Sequence, residues 1–190
     1  MKVRDSGMPE ENLWNTFFDT ELILSELQVN SQINNLVEIG SGYGTFTIPA
    51  SKRINGKVFA FDIEVGMINS LKEKASKFKI ENVEAAQRDI LSQSTGLEDS
   101  SVDYVMFFNI LHHESPISFF DESYRILKPN GKIGIIHWRS DIPTPRGPDI
   151  SIRPKPEQII DWVDKNKFQI NKEPFIIKPY HYGLILSKKK

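Results

Sequence analysis

The run Val37-Glu38-Ile39-Gly40-Ser41-Gly42-Tyr43-Gly44 places three glycines at alternate positions directly behind an acid. Glycine enters positive φ freely and carries no Cβ to hold a ligand off, so such a turn lets a small molecule lie on bare main chain. Thr45 to about Ile54 reads as a helix, with Pro49 near its first turn or at a kink. The start of that helix offers unpaired N–H groups beside the turn. A pyrophosphate-binding turn is usually spaced G-x-G-x-x-G. Here the spacing is G-x-G-x-G with threonine at 45. Glu38 disfavours a doubly negative group and suits a ligand that carries positive charge. The plain alternative is a turn made only for tight packing.

Two more acids follow apolar runs. Asp62 comes directly after Lys57–Phe61, where a carboxylate can accept hydrogen bonds from vicinal ribose hydroxyls. It can equally cap the helix beginning near Glu64, and by itself it does not separate a nicotinamide from another adenosine ligand. Asp89 follows Val83–Gln87 and can accept from an exocyclic adenine amine, with Ile63, Met67 and Ile90 as apolar walls. Asn109-Ile110-Leu111-His112-His113-Glu114 follows a further apolar run. His112 and His113 are candidates for a general base or a substrate hydrogen bond, or for packing and capping of the next helix. Adjacent residues rarely ligate one ion, so no metal is expected. Arg139, Arg146 and Arg153 lie in or just after a Pro-rich segment and can grip an acidic substrate or pair with nearby acids. Trp14, Phe17 and Phe18 can close over a pocket or cover the sheet edge.

The elements that must position these groups are legible from periodicity. Leu36–Ile39, Lys57–Phe61, Val83–Gln87, Val102–Phe108 and Lys132–Trp138 read as strands. Helical patterns separate them: Ile68, Leu71, Ala75 and Phe78 in one, Phe120, Tyr124 and Leu127 in another. Ser115-Pro116 reads as an N-cap with proline at the first helical position, and Lys128-Pro129-Asn130-Gly131 as the turn that closes that helix. A helix carrying Ile159, Ile160 and Val163 follows. Phe168–Ile177 and Tyr180–Ser187 then form a hairpin around Lys178-Pro179. Strand–helix alternation implies right-handed crossovers and a mostly parallel sheet with helices on both faces, and the hairpin requires one antiparallel strand. Residues 1–35 form a helical lid or cover, with one or two amphipathic helices in Asn12–Leu27, and residues 36–190 form the ligand-binding domain.

The 190 residues suffice for one domain, with net charge −1, so no global basic surface argues for nucleic acid or anionic membrane. Zero cysteines exclude disulfides, Cys-ligated metals and thiol nucleophiles, and make a cytoplasmic setting the natural reading. Met1–Gly7 lacks a signal-peptide core, and no apolar run reaches the length of a membrane span. Lys188-Lys189-Lys190 reads as a solvated end. The expected partner is a small-molecule substrate, with the chain as a monomer or homodimer.

The series from Val37 to Gly44, then Phe61-Asp62, Arg88-Asp89-Ile90, Ser101–Val105 running into Asn109–His113, and Leu127–Lys132 resembles class I S-adenosylmethionine-dependent methyltransferases. The likeness is to the methyltransferase-11-like small-molecule type and covers roughly Leu36 to Trp138. It implies a Rossmann-like seven-stranded sheet whose last strand is antiparallel. It places S-adenosylmethionine beside Gly40, Ser41, Gly42 and Gly44, its ribose on Asp62, its adenine near Asp89 and Ile90, and its methionyl end near Glu38 and Asn109. The product would be S-adenosylhomocysteine. The chain departs from the Asn/Asp-Pro-Pro-aromatic motif of many nucleic-acid amine methylases, and lack of cysteine argues against arsenite as acceptor. A nicotinamide-dependent oxidoreductase and a cofactor-binding protein without turnover are the alternatives.

Overall fold

In the computed structural model, which describes residues 9–190, the apolar alternation of each central strand divides its side chains between two cores. In β4 (Val102–Phe108), Val105 and Phe107 face one core and Tyr104, Met106 and Phe108 the other. β1 (Asn35–Ile39) divides likewise, with Val37 and Ile39 on one side and Leu36 on the other. Both faces are covered, so from Tyr104 on β4 needs no polar side and reads as a continuous apolar run. Asp103 at its start accepts from the N–H groups of Asn34 and Asn35.

Seven strands form one sheet in the order β3-β2-β1-β4-β5-β7-β6. The remaining strands are β2 (Lys57–Asp62), β3 (Val83–Gln87), β5 (Leu127–Trp138), β6 (Phe168–Ile177) and β7 (His181–Lys188). β1 to β5 pair in parallel, and β7 runs antiparallel to both β5 and β6. The mostly parallel Rossmann-like sheet with one reversed strand expected from the sequence is therefore present. Pro174 falls in β6, an edge strand, where a missing N–H costs no inner ladder bond.

The helices are α1 (Glu11–Asn15), α2 (Thr20–Glu26), α3 (Thr47–Arg53), α4 (Val65–Lys77), α5 (Ile90–Gln93), α6 (Pro116–Ile126) and α7 (Pro156–Trp162). One core gathers Phe119, Phe120 and Ile126 of α6 with Ile159 of α7; the other gathers Ile23 and Leu24 of α2 with Ala50 of α3. The expected N-terminal cover thus consists, in its described part, of two short helices, and α2 belongs to the core. The reading of Met1–Gly7 lies outside the described residues. Among the described residues no helix is long and apolar enough to cross a membrane.

β1, β2 and β7 differ from the sequence reading by one residue at one or both ends, and the start of β5 differs by more. Lys128-Pro129-Asn130-Gly131 is not a turn ahead of the strand but an irregularity inside β5. Val102 pairs with Leu127 and Tyr104 with Lys132, so the residues between are squeezed out of register. Pro129 has no N–H to give the ladder, and Asn130 sits at φ 65°, a conformation asparagine tolerates.

Candidate active site

Strand order reverses between β1 and β4, and open α/β sheets bind ligands beyond the carboxyl ends of the strands at such a point. A pocket opens there. Its floor comes from the ends of β1, β2, β3, β4 and β5, and it includes Trp14 of α1 and Pro148 of the loop after β5. The topology gives it two halves, one over β2 and β3 and the other over β4 and β5.

The glycine turn forms the first wall. Gly40, Gly42 and Gly44 all have positive φ, at 79°, 51° and 80°. Gly40 and Ser41 both donate N–H to Phe61 O, at 2.8 and 3.0 Å, which tucks the turn over the end of β2. A Cβ on Gly40 would lie 2.5 Å from Ile110 Cγ2, and one on Gly44 2.5 Å from Leu71 Cδ1. Gly40, Ser41 and Gly42 line the pocket, whereas Gly44 is turned toward α4. At Gly44 the packing reading of the glycine holds, because the protein's own leucine fills the space.

Asp62 joins turn and pocket. Its Oδ2 accepts from Gly42 N at 2.8 Å and its Oδ1 from Glu64 N at 2.9 Å. A carboxylate has about four acceptor positions, so the local bonds leave capacity for two ligand hydroxyls. Asp89 caps α5, accepting from Leu91 N at 3.1 Å and from Ser92 Oγ at 2.8 Å. Asp89, Ile63 and Ile90 reach the pocket, and Met67 does not.

Glu38 is buried on the α3 side of β1, where Thr47 Oγ1 donates to its Oε2. Burial pushes its pKa up to about 8; the Thr47 bond opposes the rise and the nearby Asp62 charge adds to it. Asn109 closes β4 at φ 59°, is 8% exposed, and has no partner for either side-chain Nδ2 or Oδ1. Ser41 Oγ is likewise buried without a partner. Such orphaned groups are costly unless a ligand satisfies them. A ligand with a hydroxylated ribose, a cation and further polar atoms fits this donor and acceptor set. The residues present therefore suit S-adenosylmethionine.

The other half is aromatic. Trp14, Phe108, Phe119 and Trp138 line it together with His112 and His113. His113 Nδ1 accepts from Ser115 N at 3.0 Å, and its ring meets Phe119 edge-on at 5.6 Å. His112 is buried beside His137 of β5, with His112 Nδ1 3.3 Å from His137 Nε2.

The candidate substrate arginines are placed elsewhere. Arg139 makes a two-pronged pair with Asp141, at 2.9 and 2.7 Å, and neither Arg139 nor the exposed Arg146 lines the pocket. Arg153 is buried and donates to Pro148 O, Arg139 O and Thr144 Oγ1, each at 2.8 Å, and to Arg146 O at 3.3 Å. It shapes the loop that brings Pro148 to the pocket. The α1 cover is tied to the glycine turn: Thr45 Oγ1 donates to Asn15 Oδ1 at 2.8 Å, and Lys74 bonds both Glu11 and Tyr43 O. The sequence reading missed Phe108, Phe119 and Trp138 as lining residues; the place of Phe108 and Trp138 at the ends of β4 and β5 was an available signal, whereas Phe119 comes from the first turn of α6. Among the described residues no cluster of histidine and acid side chains could hold a metal ion.

A family model described as a methyltransferase domain matches residues 36–131. An uncharacterized methyltransferase-like protein of Schizosaccharomyces pombe is 30% identical over 121 residues, 64% of this chain, and the match covers 44% of that protein. The chain thus spans less than half the length of this curated relative. The crystal structure of a SAM-dependent methyltransferase from Aquifex aeolicus superposes with a TM-score of 0.82 at 22% identity, covering 94% of each chain. One from Sulfolobus solfataricus, provisionally assigned to the type 11 methyltransferases, gives 0.69 at 29% identity, covering 90% of this chain and 91% of that one. With its glycine turn, switch-point pocket and reversed β7, the chain belongs to the methyltransferase-domain family, within the class I S-adenosylmethionine-dependent methyltransferases.

Proposed function

We propose that the chain transfers a methyl group from S-adenosylmethionine to a small-molecule acceptor in the switch-point pocket. When bound, S-adenosylmethionine supplies an electrophilic methyl on a sulfonium, a leaving group that needs no acid. Gly40, Ser41 and Gly42 hold it on bare main chain, Asp62 takes the ribose hydroxyls, and Asp89, Ile63 and Ile90 flank the adenine. Asn109 and Glu38 serve the methionyl end, where the buried acid becomes anionic beside a cation. The observation that carries this reading is Asn109, held in a left-handed conformation with an unpartnered buried amide at the pocket. Strain and an unsatisfied polar group at one residue are what a ligand site retains.

The acceptor lies over β4 and β5. Trp14, Phe108, Phe119 and Trp138 exclude water and fix its orientation, which is most of what an in-line displacement asks of the protein. A general base is needed only when the nucleophile arrives protonated, and His112 and His113 are the groups available. Among the described lining residues Arg88 is the one arginine or lysine, and its guanidinium lies 3.3 and 3.4 Å from Gln93 O and Ser94 O. This described part of the lining suits neutral acceptors better than the acidic ones that Arg139 and Arg146 would have gripped. The cysteine-free composition suits a reducing compartment, so a cytoplasmic setting is part of the proposal.

The test is conversion of S-adenosylmethionine to S-adenosylhomocysteine on incubation with a fractionated small-molecule extract. Acceptor-dependent product, abolished by Gly42→Val, is expected. Tight binding of the cofactor with no turnover across all fractions would reduce the chain to a binding protein.

A further inference from the structure

His113 stands just before α6 and lines the acceptor half of the pocket. Ser115 is the N-cap of α6, and its backbone N–H donates to His113 Nδ1 at 3.0 Å. A backbone N–H only donates, so His113 Nδ1 is bare. A ring bare at Nδ1 carries its proton on Nε2. The same bond excludes the imidazolium, whose Nδ1 would point a second proton at the Ser115 N–H. Phe119 meets the ring edge-on, with centroids 5.6 Å apart and planes at 76°, and so holds it beside α6. Among the described residues none accepts from His113 Nε2. The ring therefore has one polar hydrogen to offer a ligand, fixed by the cap of the helix that follows it.

We infer that His113 is a specificity-determining residue, a fixed hydrogen-bond donor that selects a substrate carrying an uncharged, carbonyl-type oxygen apart from the atom that is methylated. This rests on the methyltransferase reading above and deepens it. A base needs a bare nitrogen to take a proton, and His113 has none at Nε2, which removes it from that role. The attacking atom of an in-line displacement spends a lone pair on the methyl carbon. A donor held on that lone pair would have to be given up first. The Nε2–H therefore belongs on a second atom, where it orients the substrate throughout the reaction. The walls decide what kind of molecule bears that atom. Trp14, Phe108, Phe119 and Trp138 are broad aromatic surfaces, and among the described residues no lysine or arginine joins them in this half. A flat molecule with a ketone, ester or amide carbonyl fits there; a carboxylate or phosphate would lack a countercharge.

Imidazole nitrogen NMR on the full chain reads the His113 tautomer directly, with the ring assigned by the signals lost in His113→Phe. In mildly alkaline buffer Nδ1 should be bare and Nε2 protonated. A wild-type ring protonated at Nδ1 overturns the assignment without needing any variant to bind a ligand. Acetophenone and α-methylstyrene, which differ by an oxygen against a methylene group, read the substrate class when titrated with S-adenosylhomocysteine present. Acetophenone should shift the His113 Nε2–H resonance far more than α-methylstyrene does. The ratio of the two affinities should fall in His113→Phe by about two- to twelvefold, the range of one net hydrogen bond. His113→Gln, whose amide can still donate, should keep the ratio near that of the wild type, a split that a packing role would not produce. A ratio unchanged by His113→Phe, or binding of neither probe, overturns the substrate class. Calorimetric binding of S-adenosylhomocysteine alone tests the cofactor reading separately.

Discussion

Glu38→Gln should change the pH dependence of stability in a defined direction. In the folded chain Glu38 keeps its proton up to about pH 8, because burial outweighs the hydrogen bond from Thr47; in the unfolded chain it loses it near 4.5. Between those values the folded state holds the extra proton, so this residue makes stability fall as pH rises, and its contribution levels off outside the window. At about 1.4 kcal/mol per pH unit the whole rise amounts to about 5 kcal/mol. Glutamine can still accept from Thr47 and does not titrate. Urea unfolding of both proteins from pH 4 to pH 9 isolates the effect, since lowered carboxylates such as Glu122 and Asp103 act equally in each. The variant should gain on the wild type progressively across the window, by several kcal/mol in all. A stability difference that stays constant with pH would refute the burial argument for Glu38.

Gly40→Ala should cost about 1–3 kcal/mol in urea unfolding, because alanine resists φ 79° and its Cβ would meet Ile110 Cγ2. Ile110→Ala in the same chain should recover part of that loss. Arg153→Met should speed hydrogen exchange across residues 139–149 and destabilise by about 2–4 kcal/mol, since a buried guanidinium organises that loop. Arg139→Ala, which breaks only a surface pair with Asp141, should leave both readouts unchanged. Ligand binding should alter tryptophan fluorescence, and Trp14→Phe should diminish the change, because Trp14 lines the pocket within 6.2 Å of Trp138.

What the sequence made legible follows from where information is local. β3, β4 and β6 were bounded to the residue, β4 by its apolar run and the more polar β3 and β6 by the turn residues that flank them. The glycine turn was legible because positive φ restricts residue type at each position. Asp62 was legible because it directly follows β2. The bulge at Lys128–Gly131 was hidden: the same residues serve a turn or an irregular strand, and only pairing with β4 decides. Gly44 looked like a ligand glycine because Leu71, which occupies its space, comes from a different helix. Arg139 looked available because its pairing with Asp141 shows only in the folded loop, and Arg146 because sequence does not reveal that the loop leaves it on the surface, off the pocket. The contact between His137 and His112 was hidden, since it exists only when β4 and β5 lie side by side.

Calorimetric titration of the wild type and of Asp62→Ala, with folding of the variant checked by circular dichroism, probes the adenosine site most directly. S-adenosylmethionine and S-adenosylhomocysteine should bind the wild type while NAD and NADP do not. Loss of two hydrogen bonds to a carboxylate should weaken binding to the folded variant by about 2–4 kcal/mol, roughly thirtyfold to a thousandfold. Undiminished affinity in the variant, or preference for a nicotinamide coenzyme, would contradict the placement of the cofactor.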